Sequence, residues 1–498
     1  MKAGIRAQGM KRHLSRRMFL NSTVMSGAVL LADAARFASF SPISSAALSG
    51  RCPVGGDGGR AVDATRYLDR TERRDVALKQ GRIDVTAALQ RALDENSNVF
   101  LPAGIYSVDP DPRRCLKLRS GQRLAFADGA VLKARGTALA RSYVLLADGV
   151  CNVRLDNLAI EGERHRHRGS KGEHGMGLAI LNSSDVEVDD LEVRDCWGDG
   201  IYVGGTELTG TSRNVTLRNC IAENNRRQGL TIAAVTGCRV IGGRFTGTNG
   251  IAPAAGIDVE PNHTRIMGVP RLKAGVNDVL IQDVDCSGNE GHGITISQRH
   301  TFAVTVVRPR CHDNGMCGIS LGYPGGHIRV ASPDCRNNRE DGIQVFGDRA
   351  FTTGDIEMRD VTVIGNGENG VFVGPDVDGF TFVGGSISHN GANGVLCDGK
   401  GGSTCANGLL ENLTIEANSQ AGDRRYDNIR VGSLVHDLTV RGNVVRAGSR
   451  PRKPRYGIAV LGSERAYVIG NDLRGGGAAG NARGRNIPAV RWDRNAGV

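Results

Sequence analysis

Along most of the chain, apolar and polar residues alternate in short runs that end at Gly, Asn or Asp. Alternation of this kind has the period of a β-strand, not of a helix. The runs also repeat. A turn, a Gly and an alternating triplet read "GLAI" from Gly177, "GIYV" from Gly200, "GLTI" from Gly229, "GIDV" from Gly256 and "GITI" from Gly293. They continue as "GISL" from Gly318, "GIQV" from Gly342, "GVFV" from Gly370 and "GVLC" from Gly394, at steps of 23, 29, 27, 37, 25, 24, 28 and 24 residues. Between them a second strand-like run recurs, as in "DVEVDDLEV", "NVTLRNCIA" and "DVLIQDVDC". A unit made only of short strands and turns cannot bury its own apolar face, whereas stacked units bury a continuous one. The pattern predicts an all-β fold, a right-handed parallel β-helix of about 12 coils.

Register supports the stacking. Asn225, Asn289, Asn314, Asn338, Asn366 and Asn390 each stand four residues before a motif Gly. Asn tolerates left-handed backbone at a turn, and stacked amides can bond to one another. Cys286, Cys311, Cys335, Val363 and Ile387 stand seven residues before the Gly, in a column expected to face inward. Cys397 and Cys405 flank "DGKGGST" and are the best disulfide candidate. Upstream, "RIDVTAALQRALDENSNVFLPAGIYSV" places Asp84 as an N-cap before an amphipathic stretch over residues 85–93, a short helix that would cap the open core.

The first 50 residues differ. "SRRMFL" at 15–20, a weakly apolar run too short to remain as a membrane span, and small residues near Ala47 resemble a bacterial twin-arginine export signal. The expected layout is a signal peptide over 1–47, an N-terminal segment and cap over 48–110, and the β-helix over 111–498. Export implies a periplasmic or extracellular protein without stable membrane insertion after cleavage. Residues 1–47 carry seven Lys/Arg and one Asp, so the net charge of +11 falls to +5 without them. That mild excess, with few aromatics, argues against nucleic acid as a partner.

The cap sequence "DVTAALQRAL…VFLPAGIYSV", followed by a ladder of Asn-x-x-x-Gly coils, resembles the pectate-lyase-like superfamily of right-handed β-helices over residues 60 to 490. The similarity is to uronate polysaccharide lyases, polygalacturonase-type hydrolases and mannuronan C5-epimerases. Gly291-His292-Gly293 matches one hydrolase motif, and the other three are missing. Asp258-Val259-Glu260-Pro261 stands where the epimerases carry Asp-Pro-His, with His263 displaced. The resemblance implies action on a polysaccharide, most simply an acidic one.

Candidate chemistry lies where polar residues are not needed by the fold. Asp258 and Glu260 are two apart on one strand, so both face outward, and no other copy of the motif has two acids there. They are expected on an exposed face, as catalytic residues with His292 or as ligands of a hard cation such as Ca²⁺. Asp199, Tyr202, Arg226 and Arg227 lie in preceding coils and are candidate substrate contacts. Two basic insertions, residues 163–175 with His174 and residues 261–275 with Arg265, are expected to wall a groove. A lyase or C5-epimerase working by C5 proton abstraction is the first expectation, a glycoside hydrolase the second, and a non-catalytic glycan-binding scaffold the third.

Overall fold

The computed structural model describes residues 60–205, 210–266 and 269–498, with the backbone alone for 262–274. The signal-peptide segment lies outside the described residues. The strands wind into a parallel solenoid of about 14 turns, slightly more than the motif count suggests. The extra turns lie at the ends. Leu116–Lys117 and Arg141–Asp148 precede the first motif Gly, and Gly480–Arg483 follows the last. Leu116–Lys117 stacks on Arg141–Asp148, which stacks on His174–Leu181, and Gly480–Arg483 stacks on Tyr456–Ile469.

Each coil contributes to three parallel sheets. In the first, Ile201, Leu230, Ile257, Ile294, Ile319 and Ile343 are successive partners. The second stacks Val215, Cys238, Val279, Val304 and Ile328. The third stacks Cys286, Cys311, Cys335, Val363 and Ile387, all fully buried, as the spacing predicts. One apolar core runs through the coils. Cys397 and Cys405 belong to it as free thiols, so the expected disulfide is not present, whereas Cys151 is disulfide-bonded. Two thiols pointing into a dry core serve there as small apolar groups.

An amide ladder holds the coils in register. The Nδ2 of Asn289 donates to the Oδ1 of Asn314 at 3.0 Å. The same bond, at 2.9 Å, joins Asn314 to Asn338, Asn338 to Asn366, Asn366 to Asn390 and Asn390 to Asn418. The left-handed residue is the one before each of these: Asn224, Gly288, Asp313, Asn337, Gly365 and His389. The ladder asparagines are therefore selected by their amides and not by backbone tolerance. The motif glycines are required by space. A Cβ on Gly342 would meet the Asn366 amide at 2.7 Å and the Gly370 carbonyl at 2.8 Å.

The ladder is interrupted once near its start. Thr248 holds the asparagine position, and its backbone N–H donates to the Oδ1 of Asn289 at 3.0 Å. Its hydroxyl and the Nδ2 of Asn225 below it are both buried without a hydrogen-bond partner. This is the coil that carries Asp258. It leaves the first sheet after Ile257–Val259 into an antiparallel hairpin, Asn262–Ile266 with Val269–Ala274.

The N-terminal end is closed by two helices. The expected one spans Thr86–Glu95, and Asp84 accepts from the Thr86 N–H, one residue ahead of the cap position at Val85. The other, Arg70–Ala77, opens with a capping box in which Asp69 and Glu72 satisfy each other's backbone N–H groups. Among the described residues no helix is long and apolar enough to cross a membrane.

Candidate functional site

The outward column of the first sheet reads Leu146, Ala179, Tyr202, Thr231, Asp258, Thr295, Ser320 and Gln344 along the solenoid. Its beginning is apolar and dry. Tyr143, Leu146, Met176, Ala179, Tyr202 and Ala233 form a second, smaller apolar cluster on this outer face. Asp258 sits just beyond it and is 1% exposed. The expected exposed pair is thus corrected: Asp258 is buried and only Glu260 is half-buried.

Burial of a carboxyl requires partners. The Nε2 of Gln228 donates to Oδ2 of Asp258 at 2.7 Å, while Oδ1 of Asp258 is buried with no hydrogen bond. Gln298 donates to Glu260. Two coils back, Asp199 is wholly buried, accepting from the Thr231 hydroxyl at 2.9 Å and from Arg227 at 3.2 Å. The other side of Arg227 lies 3.6 Å from Glu173, a residue of the first basic insertion. Glu173 and Asp199 therefore flank a single guanidinium, whose charge also acts on Asp258 and Glu260.

Electrostatics separate these groups. Burial, then the neighbouring charges of Glu260 and Asp199, push Asp258 well above the usual carboxylate range despite Arg227. Burial also raises Glu260, with Glu173 adding to it and Arg227 and Gln298 opposing. Asp199 is raised by burial against the pull of Arg227 and Thr231. Burial opposes the charge of Arg227, but Asp199, Asp258 and Glu173 outweigh it and raise its pKa. Two interacting carboxyls titrate as a pair, and burial favours the protonated form of this one.

His292 is engaged by the backbone. Where the residue before a motif Gly is Gln228, His292, Asp341, Asn369 or Asn393, its side chain accepts a backbone N–H of the next coil. Gln228 does so for Ala255, Asp341 for Asn369 and Asn369 for Asn393. His292 accepts the Cys317 N–H on Nδ1 at 3.2 Å and is 3% exposed. Burial lowers its pKa to about 4, so the ring is a neutral acceptor. The structure thus places His292 in this backbone-bonding column, where the sequence suggests a catalytic base.

The basic insertion over residues 163–175 is anchored and not a free wall. Arg164 donates to the carbonyls of Asn224 and Asn249, each at 2.8 Å. His167 stacks on Trp197 with centroids 3.8 Å apart, and Arg226 covers the Trp197 ring, also at 3.8 Å. Arg226 further donates to the carbonyls of Gly172 and Trp197. Beside it opens a cleft of ≈ 330 Å³ lined by Ala140, Ser170, Gly172, Glu173, His174, Arg226 and Ile251. Burial, Arg141 and Arg227 lower the pKa of His174. Arg265 lies where only the backbone is described.

A resident Ca²⁺ does not fit this donor set. Such an ion takes six to eight oxygens. Asp258 and Glu260 supply few, Arg227 stands among them, and no group of three or more His, Cys, Asp or Glu among the described residues is placed to hold a metal. Glu173, Gln228 and Gln298 are site residues that sequence reasoning missed. Gln228 alone left a signal, as a long amide in the position before a motif Gly that Asp199, Asp341, Asn369 and Asn393 hold in other coils.

Fold and site together define a solenoid that presents a polar cluster on the outer face of one sheet. The chain belongs to the right-handed β-helix family, whose model matches residues 132–266 and 262–410. Protein YclG of Bacillus subtilis (strain 168) is 34% identical over 127 residues, 22% of this chain and 21% of that protein. The chain thus spans about a fifth of the length of the curated relatives it matches. Bacteriophage phi29 gene product 12 shares the fold, with a TM-score of 0.52 at 14% identity over 88% of this chain and 57% of that one. The A-module of mannuronan C-5 epimerase AlgE4 from Azotobacter vinelandii aligns over 88% of this chain and 99% of its own at 17% identity, with a TM-score of 0.42.

Proposed function

We propose that this is an exported polysaccharide-acting enzyme and that it hydrolyses a glycosidic bond at the carboxylate cluster. Elimination or C5 epimerisation of a uronate needs a cation free to neutralise the sugar carboxylate. Among the described residues, the two arginines beside the carboxylates on this face are engaged. Arg227 is held by Asp199 and Glu173, and Arg226 by Trp197 and two carbonyls. A pair of carboxyls flanking the scissile bond is instead what glycoside hydrolysis uses.

The observation that carries the proposal is the half-buried Glu260 over the buried, unpaired Oδ1 of Asp258. Glu260 donates a proton to the glycosidic oxygen as the bond to the anomeric carbon breaks. Glu173, whose side chain is 43% exposed on the far side of Arg227, takes a proton from the attacking water. Asp258 positions this pair through its charge interaction with Glu260, and a new reducing end leaves with the product.

The test is a panel of acidic and neutral polysaccharides given to the purified protein. Reducing ends are expected without unsaturated uronate product, and Glu260→Gln should lower the rate by ~10²-fold or more. Unsaturated product, or solvent deuterium incorporated at C5, would replace hydrolysis by the proton-abstraction chemistry.

A further inference from the structure

We propose that the turns of the last coils form a separate binding site for a polyanionic polysaccharide strand. The same turn that carries Arg226 and Glu173 near the carboxylate cluster recurs in every coil, and in the last coils it becomes basic. It reads "AGDRRYDN" over 421–428 and "GSRPRKPRYG" over 448–457. Arg425, Arg450 and Arg483 are exposed, with Lys453 and Arg455 half-buried beside them.

The acids of these loops are already used. Asp423 accepts the Lys453 backbone N–H at 2.9 Å and pairs with Arg424 at 3.6 Å. Asp427 is held by Arg430 at 3.1 Å and by the Tyr456 N–H. Among the described residues, Arg425, Arg450, Lys453, Arg455 and Arg483 have no carboxylate partner within ion-pair distance, and Nε of Arg455 is buried without a hydrogen bond. Arg455 and Arg483 lie 5.1 and 5.8 Å from the Tyr456 ring centre, and Arg425 lies 5.2 Å from that of Tyr426.

The cations are also preorganised. Backbone bonds join the loops coil to coil, from Arg424 N–H to Lys453 O at 2.8 Å, Arg455 N–H to Tyr426 O at 2.6 Å and Ala479 N–H to Arg455 O at 2.8 Å. Unneutralised charges on rigid loops repel one another, and an anionic ligand relieves that repulsion with little ordering cost. Successive coils space the charges by ~4.8 Å, about the length of one pyranose. The site lies six to seven coils, roughly 30 Å, from Asp258. A strand lying along the turns would reach both, with its acidic sugars held here and the scissile bond at the carboxylates. That arrangement rests on the hydrolase proposed above, whereas the binding site itself does not.

The test measures binding of polygalacturonate to the full chain carrying Glu260→Gln, by titration calorimetry at low salt. The variant Arg425→Gln/Arg450→Gln/Lys453→Gln/Arg483→Gln should bind at least ~10-fold more weakly and lose most of its salt dependence. Replacing the three arginines by Lys should keep the affinity, and a neutral galactan should show no difference between any of these proteins. Unchanged polygalacturonate affinity in the Gln variant overturns the proposal. So does tighter binding of duplex DNA than of polygalacturonate, which would make the patch a nucleic-acid surface. Reducing-end release is read separately on the parent chain with Glu260 intact: its absence overturns hydrolysis and leaves this site standing, whereas unchanged affinity in the Gln variant overturns this site and leaves hydrolysis standing.

Discussion

Gln228 donates from Nε2 to Asp258 at 2.7 Å and accepts the Ala255 N–H on Oε1 at 2.8 Å. One amide thereby fixes both a backbone register and the orientation of the buried carboxyl. Gln228→Leu should cost about 1–3 kcal/mol by leaving an acceptor and a donor unsatisfied. It should also lower the hydrolytic rate, and thermal denaturation with rate measurement on one preparation reads both. A variant with parental stability and rate would remove Gln228 from the site.

Asp258 binds its proton more tightly in the folded chain than in the unfolded one. Its contribution to stability is full below the unfolded carboxylate range, near ~4, and is lost as pH rises through the raised folded value. Asp258→Asn keeps the oxygen that Gln228 contacts and abolishes this loss. Its melting temperature should therefore equal the parent's at about pH 4 and exceed it at about pH 8, by an amount equivalent to about 1 kcal/mol or more. Calorimetry at the two pH values decides it, and a lower melting temperature at both would make the ionised carboxyl structural.

Asp341 gives the same sign with a defined window. Burial raises its pKa to about 7, although it accepts bonds from both the backbone and the amide of Asn369. Its stabilising effect should fade between about pH 4 and pH 7. Asp341→Asn should raise stability only above that window, without touching activity, since no carboxyl of the cluster contacts it. Melting curves and rates across the window check both.

The break in the amide ladder can be repaired. Thr248→Asn places a carbonyl oxygen over the unpartnered Nδ2 of Asn225 and should add about 1 kcal/mol. The contrary change, Asn338→Ala, removes the acceptor of Asn314 and both bonds donated by its own amide. It should cost at least about 3 kcal/mol. Chemical denaturation of both variants checks the ladder as a source of stability.

The proposed export by the folded-protein route requires Arg16 and Arg17. Replacing both with Lys should leave the precursor in the cytoplasm, because such a signal is read by a receptor. Fractionation of expressing cells reads the result, and normal export of the double variant excludes that route.

The solenoid is legible in the repeat alone. A strand period, a fixed glycine and stacked asparagines are local features that the coil geometry repeats. The inward cysteine column follows for the same reason. The chemistry is less legible because it depends on depth. Alternation gives the direction of Asp258 correctly, but an outward side chain is exposed only if nothing else covers the sheet, and here Asp258 is almost wholly buried. His292 looks catalytic by type, yet the column before the motif Gly uses any acceptor that reaches the next N–H. Glu173 is hidden because its partner Arg227 lies 54 residues later in the chain. The basic insertion reads as a wall because sequence does not reveal that Arg164 and Arg226 are occupied by carbonyls.

The amide ladder is also a ruler. Every asparagine gives to one coil and takes from another, so a coil joins the stack only if it brings the chain back to the same point. Material can be added or lost in whole turns, or looped outward, but not by shifting part of a turn. At Thr248 the ruler lifts, and from that coil come the 37-residue step and the hairpin beside Asp258. A protein built this way can lengthen by duplication everywhere else and still change its chemistry at one place, because a new loop there leaves the register of every other coil untouched.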